Sequence, residues 1–130
     1  MNNTAQENEK VKTKRTNIFK DAMNGLDYVF KNESNAQLHL IATMIVITAG
    51  ALLNINAIEW LVLTACIAAV IMAEIFNTAI EQLVNLVHPQ FGEKAGLVKD
   101  ISAGAVLATA IAAVVIGCII FIPKIVALCI

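Results

Sequence analysis

Three stretches without a single Asp, Glu, Lys or Arg, residues 38–53, 60–73 and 101–122, decide what this chain can fold into. With 130 residues there is room for one domain. A soluble core of that size cannot enclose three such runs, but a bilayer can. Hydrophobic residues make up 58% of the chain, and the first 33 residues hold more than half of its charged side chains. The predicted fold class is an all-α integral membrane protein with three transmembrane helices per protomer.

Residues 1–15 are polar and charged and are expected to form a disordered tail, leaving 16–130 as the membrane domain. Phe19, Ala22, Met23, Leu26, Val29 and Phe30 then recur at helical spacing, with Lys20, Asp21, Asn24, Asp27 and Lys31 between them. This predicts an amphipathic helix over 16–33 lying in the membrane interface. Spans are expected at about 37–53, 60–80 and 101–122. Trp60 opens the second at headgroup depth. Pro89 and Gly92 break the chain before the third, and Pro123 is expected to stop it.

Lys10, Lys12, Lys14, Arg15, Lys20 and Lys31 precede the first span, and Lys94 and Lys99 precede the third. The loop Asn54–Glu59 has no basic residue. That asymmetry predicts a cytoplasmic N-terminus, with Lys124 on the far side as a mild objection. The polar N-terminus is not expected to be a cleavable signal. Cys66, Cys118 and Cys129 lack metal spacing and are expected to be unpaired packing residues. Gly104, Ala108 and Ala112 repeat every fourth residue, a pattern expected to let helix backbones approach closely.

The most informative feature lies in the second span. Glu74, Asn77, Glu81, Asn85 and His88 follow at steps of three or four, and on a helix they fall within a wedge of about 80°. Thr78 lies on the same side, and the residues between are apolar. A carboxylate in hydrocarbon costs at least about 2.5–3.5 kcal/mol, so this stripe needs a proton, a basic residue, a cation or a ligand. A bland alternative lets Glu81 reach water at the interface, but that leaves Glu74 and Asn77 unexplained.

Glu33, before the first span, and Lys99 and Asp100, at the mouth of the third, stand at the depth of Glu81. The expected cluster is Glu33, Asn77, Glu81, Lys99 and Asp100. Carboxylates there suit Mg²⁺, which takes one or two of them together with phosphate oxygens, and a lysine suits phosphate charge. Glu74 lies deeper, placed to act as general base on a hydroxyl presented from the lipid. The arrangement points to phosphoryl transfer from a water-soluble donor to a lipid alcohol. No P-loop and no protein-kinase signature is present. The rival class is a non-enzymatic membrane scaffold or a proton path. A proton path predicts further polar residues outward, yet Leu61–Ala73 is apolar apart from Thr64. His39 and His88 read as interfacial hydrogen-bonding residues, since neither has a second His at metal spacing.

The run Ala73-Glu74-Ile75-Phe76-Asn77-Thr78-Ala79-Ile80-Glu81 resembles the signature of the prokaryotic diacylglycerol kinase family, as does Lys99-Asp100-Ile101-Ser102-Ala103-Gly104-Ala105-Val106-Leu107 downstream. The resemblance covers roughly 17–125. It implies a homotrimer of three-helix protomers in the bacterial inner membrane, using ATP and Mg²⁺, with no nucleic-acid partner. By position, Glu74 is implied as catalytic base, and Glu33 and Glu81 as Mg²⁺ ligands. Asn77, Glu81, Asn85, Lys99, Asp100 and Glu33 are implied to line the nucleotide site. Asn-Thr-Ala-Ile-Glu and Phe-Ile-Pro-Lys look like the Gram-positive-type branch, implying undecaprenol as substrate, with diacylglycerol as the alternative and a degenerate member as a third possibility. Two departures stand out. Asn85 occupies a position where the family commonly has Asp, and Asn35-Ala36-Gln37 stands where similar proteins have Asn-Phe-Arg.

Overall fold

In the computed structural model, which describes residues 18–90 and 92–129, every regular element is helical. The expected tail 1–15 lies outside the described residues. Four helices follow in order: α1 (Ile18–Asn32), α2 (Ser34–Leu52), α3 (Ala57–Val87) and α4 (Glu93–Cys129). The last three are long and apolar enough to cross a membrane, and the protein is a multi-pass membrane protein.

Helix α1 forms because its apolar residues return every three or four positions, and only part of that face is covered. Val29 is buried and Leu26 and Phe30 are half-buried, while Phe19 and Met23 remain exposed. Lys31 pairs with Asp27 one turn earlier at 2.8 Å, an exposed contact contributing a few tenths of a kcal/mol at most, about 0.3–0.5. Glu33 leaves the helical conformation (φ −104°, ψ 113°) and separates α1 from α2. The carbonyls freed at the end of α1 are met from α2. Gln37 Nε2 donates to Phe30 O and Lys31 O, both at 3.2 Å. Ala36 is wholly buried in the same corner, so the Ala36-Gln37 departure does local structural work there: a small residue lets the helices meet and an amide caps the bend.

The turn between α2 and α3 is tight. Asn54 takes a left-handed φ of 48°, a conformation asparagine tolerates better than most residues. Asn56 then caps α3, its Oδ1 accepting from Ile58 N and Glu59 N at 2.9 and 3.0 Å. Glu59 Oε2 accepts from Asn56 N at 2.7 Å, completing a capping box. The same carboxylate pairs with Lys124 of α4 at 3.0 Å. Gly50 is buried beneath the Trp60 indole, where an added Cβ would lie 2.9 Å from Trp60 Cη2.

The antiparallel α3–α4 hairpin carries the most extensive packing, with α2 lying more lightly on α3. A small apolar core of Ile55, Leu63 and Ile120 sits at the Trp60 end. Large side chains such as Ile45, Leu61, Leu107 and Ile119 are exposed, as expected of surfaces solvated by lipid or by other chains.

Two expectations change. Helix α4 runs through Pro123 to Cys129, where a stop was expected. Proline's fixed φ is helical, and in a membrane helix the one lost backbone bond is tolerated. Gly104, Ala108 and Ala112 are exposed, so this small-residue stripe makes no close helix contact within the described protomer. Helix α4 instead buries Ser102, Val106 and Ile120.

Candidate active site

Pro89 and Gly92 end α3 and restart the chain as α4, which brings the charged ends of the two helices together. Because the hairpin is antiparallel, α3 residues of the polar stripe meet α4 residues in reverse order: Asn85 faces Lys99 and Asn77 faces Ser102. Among buried residues, polar ones dominate this end. Glu74 is 3% exposed, Asn77 5%, Thr78 4% and Ser102 7%.

Hydrogen bonds join most of these side chains. Asn77 Nδ2 donates to Glu81 Oε1 at 2.9 Å, and Ser102 Oγ donates to Asn77 Oδ1 at 2.6 Å. Lys99 Nζ donates to Asn85 Oδ1 at 2.6 Å. Glu74 is different: it makes no side-chain hydrogen bond and no ion pair among the described residues. Its ionisable neighbours are His39, Glu81 and Glu33. No buried side-chain oxygen or nitrogen is left without a partner among the described residues, so the Glu74 carboxylate, which makes no hydrogen bond there, keeps its oxygens accessible from outside the protomer.

Two clefts flank the cluster. One, of about 510 Å³, lies between α2, α3 and α4, and is lined mainly by apolar groups together with His39, Thr43, Cys66 and Cys118. Val70, one helical turn before Glu74, is part of its wall. The other, of about 290 Å³, sits at the α3–α4 loop, bounded by Asn85, His88, Gln90, Gly92, Gly96 and Lys99. Here the His88 imidazole lies over Gly92, and an added Cβ 2.7 Å from Nε2 would make that exposed ring swing aside.

The structure thus brings together Asn77, Glu81 and, through the helix pair, Asn85 and Lys99. Glu74 stands one turn deeper with Glu33 nearby. Asp100 is exposed, without a side-chain partner among the described residues. The three cysteines are free, and Cys66 and Cys118 line the apolar cleft. No cluster of three or more His, Cys, Asp or Glu able to hold a metal occurs among the described residues. Sequence reasoning missed Ser102, which is invisible without the helix register, and the nearness of His39 to Glu74. His39 lies three residues after the buried Ala36, close to the same helix face, but nothing in one sequence marks it.

The family model described as prokaryotic diacylglycerol kinase matches residues 20–121. A diacylglycerol kinase of Synechocystis sp. is 39% identical over 111 residues, covering 85% of this chain and 63% of that relative, so the match spans less than two thirds of the relative's length. An undecaprenol kinase of Bacillus subtilis is 35% identical over 106 residues, 82% of this chain and 86% of the relative. A diacylglycerol kinase of Escherichia coli K12 is 31% identical over 95 residues, 73% and 78% of the two chains. Both signature blocks and the polar cluster fall inside all of the matched length that the family defines. The chain belongs to the prokaryotic diacylglycerol kinase family, a family of membrane lipid kinases.

Proposed function

We propose that this protein phosphorylates a membrane lipid alcohol at the expense of ATP, with undecaprenol as its substrate and undecaprenyl phosphate as the product. Glu74 carries the reading: a carboxylate on a buried residue with no hydrogen bond among the described residues, one turn from the polar network at Asn77 and one turn from Val70 in the wall of the apolar cleft. That is what a base serving a lipid hydroxyl requires. A B. subtilis undecaprenol kinase, covered over 86% of its length, supports the choice of lipid. Diacylglycerol, the substrate named for the Synechocystis and E. coli relatives, is the alternative.

In this account the lipid hydroxyl gives its proton to Glu74 as its oxygen bonds to the γ-phosphorus of ATP. The bond from that phosphorus to the β–γ bridging oxygen breaks, leaving lipid phosphate and ADP. Lys99 faces the phosphate charge, with Asn85 holding its amine and Asn77 steadying Glu81. Positioning and charge neutralisation supply most of the rate.

The carboxylates Glu33 and Glu81 fit Mg²⁺. It is a hard cation that takes one or two carboxylates plus substrate phosphate oxygens rather than a cage of protein ligands, and Glu81 already has its orientation fixed by Asn77. When bound there, Mg²⁺ supplies charge neutralisation to the phosphates. Asp100, exposed beside Lys99, is assigned to the nucleotide side. Lys20, Lys31, Lys94 and Lys99 at the charged end, against Lys124 alone at the other, support a cytoplasmic N-terminus in the inner membrane. The exposed stripe Gly104, Ala108 and Ala112 supports contact between neighbouring copies, since small residues let helices meet, and the homotrimer is the number that the family resemblance implies.

Competition decides the substrate. Purified protein in detergent with MgATP and equal undecaprenol and diacylglycerol is expected to yield undecaprenyl phosphate as the main product. Predominant phosphatidic acid would overturn the choice of lipid while keeping the chemistry.

A further inference from the structure

We propose that Ser102 is a positioning residue for the metal-binding carboxylate, acting through the Asn77 side chain. The proposal rests on the kinase reading above, in which Glu81 holds Mg²⁺, and assigns a role to a residue outside that site's own set.

The hydrogen-bond directions carry the argument. An ionised carboxylate only accepts, so the edge of the Asn77 amide facing Glu81 must be its NH₂. At 2.9 Å that bond is made. The opposite edge of the same amide is then its carbonyl oxygen, and it faces Ser102, which has a single hydroxyl proton to give. The two oxygens are 2.6 Å apart. Ser102 Oγ also lies 2.8 Å from Lys99 O, so its one proton is shared between that carbonyl and the closer Asn77 Oδ1, both of which only accept. Asn77 and Ser102 are 5% and 7% exposed, so water does not readily replace either partner.

Glu81 selects the NH₂ edge of the Asn77 amide, and the serine hydroxyl is the second restraint, binding the carbonyl edge from the other side. Held at one edge alone, the amide is free to swing about that bond and to withdraw from Glu81. Ser102 therefore anchors the Asn77 amide in the position that holds Glu81, and it does so from α4, across the helix interface. Because Lys99 is three residues earlier on the same helix and its amine is held by Asn85, one segment of α4 sets both the carboxylate and the lysine.

The test is a double-mutant cycle on the full-length protein in detergent, with Mn²⁺ as the probe. Its binding is followed by electron paramagnetic resonance in the presence of a non-hydrolysable ATP analogue. Ser102→Ala is expected to weaken Mn²⁺ binding about tenfold, the scale on which outer-shell partners of metal ligands act. Asn77→Ala should weaken it at least as much, and the double variant no further, because the serine works through the asparagine. The thermal midpoint of Ser102→Ala should fall only as far as the loss of one buried hydrogen bond requires, and the variant should remain fully folded at the assay temperature. Unchanged Mn²⁺ affinity in Ser102→Ala overturns the proposal. So do losses that multiply in the double variant, or a loss of affinity that merely tracks a fall in thermal midpoint. Lipid phosphorylation is assayed on the same samples. A wild type that transfers no phosphate to lipid sinks the kinase reading, whereas the Mn²⁺ cycle still decides the role of Ser102.

Discussion

Lys99 of α4 reaches back to Asn85 of α3, its amine donating to the amide oxygen at 2.6 Å. A neutral partner orients the lysine and leaves its charge undiminished. Charge of that kind is what a nucleotide phosphate meets best, and the pair sits on the wall of the cleft beside the α3–α4 loop.

Asn85→Asp tests this directly. The carboxylate would keep the contact but offset the positive charge, by about 1 kcal/mol for a solvated pair. Steady-state kinetics with ATP varied at saturating lipid should show the KM for ATP raised about five- to tenfold. The KM for lipid should not move. A lowered KM for ATP would mean that Lys99 does not meet the nucleotide.

At the other end of the bundle, Gly50 lies under Trp60 with no room for a methyl group. Gly50→Ala forces the indole or Ile55 to shift and should destabilise the fold by about 1–3 kcal/mol. Thermal unfolding followed by Trp60 fluorescence checks this. Gly25→Ala, where an added Cβ meets nothing within 4 Å, is the matched control and should unfold no earlier than wild type.

Asn56→Ala removes the cap of α3. The expected loss is about 1 kcal/mol of stability, with transfer activity retained, because Asn56 lies 18 residues and about 27 Å along the helix from Glu74. Activity measured well below the unfolding temperature distinguishes this from a catalytic effect. A large fall in kcat there would contradict the separation of the two ends.

Ala108→Leu probes assembly. Ala108 is exposed on the protomer, so a larger side chain should leave each chain folded and helical. In a trimer packed through this stripe it should break the contact and yield monomers in detergent, read by light scattering. A variant that stays trimeric would move the interface elsewhere.

The sequence made one half of the site legible and hid the other. Glu74, Asn77, Thr78 and Glu81 share a face because a helix repeats every 3.6 residues, so spacing alone grouped them, and Thr78 proves buried with Glu74 and Asn77 while Glu81 is half-buried. The chain break at Pro89 and Gly92 was equally readable, since both residues act locally. Ser102 could not be found that way. Its partner is 25 residues earlier, and the match depends on the register of the hairpin. Lys99 pairing with Asn85 has the same origin, and Asp100, its neighbour in sequence, points away into an exposed position. Pro123 misled for another reason: the rule that proline ends helices reflects the lost hydrogen bond, and α4 continues past it. Gln37, noted only as a departure from its relatives, turned out to cap α1.

Glu74 is where the account is most exposed to failure. The direct measurement is transfer of labelled γ-phosphate from ATP to undecaprenol, with Mg²⁺, by wild type and by Glu74→Gln, both shown folded by circular dichroism. General-base removal should lower kcat by about 10²–10⁴-fold and leave the KM for ATP near its wild-type value, because Gln keeps the shape and loses only the proton acceptor. Wild-type rates in Glu74→Gln would contradict the assignment of the base, and with it the central reading of the site.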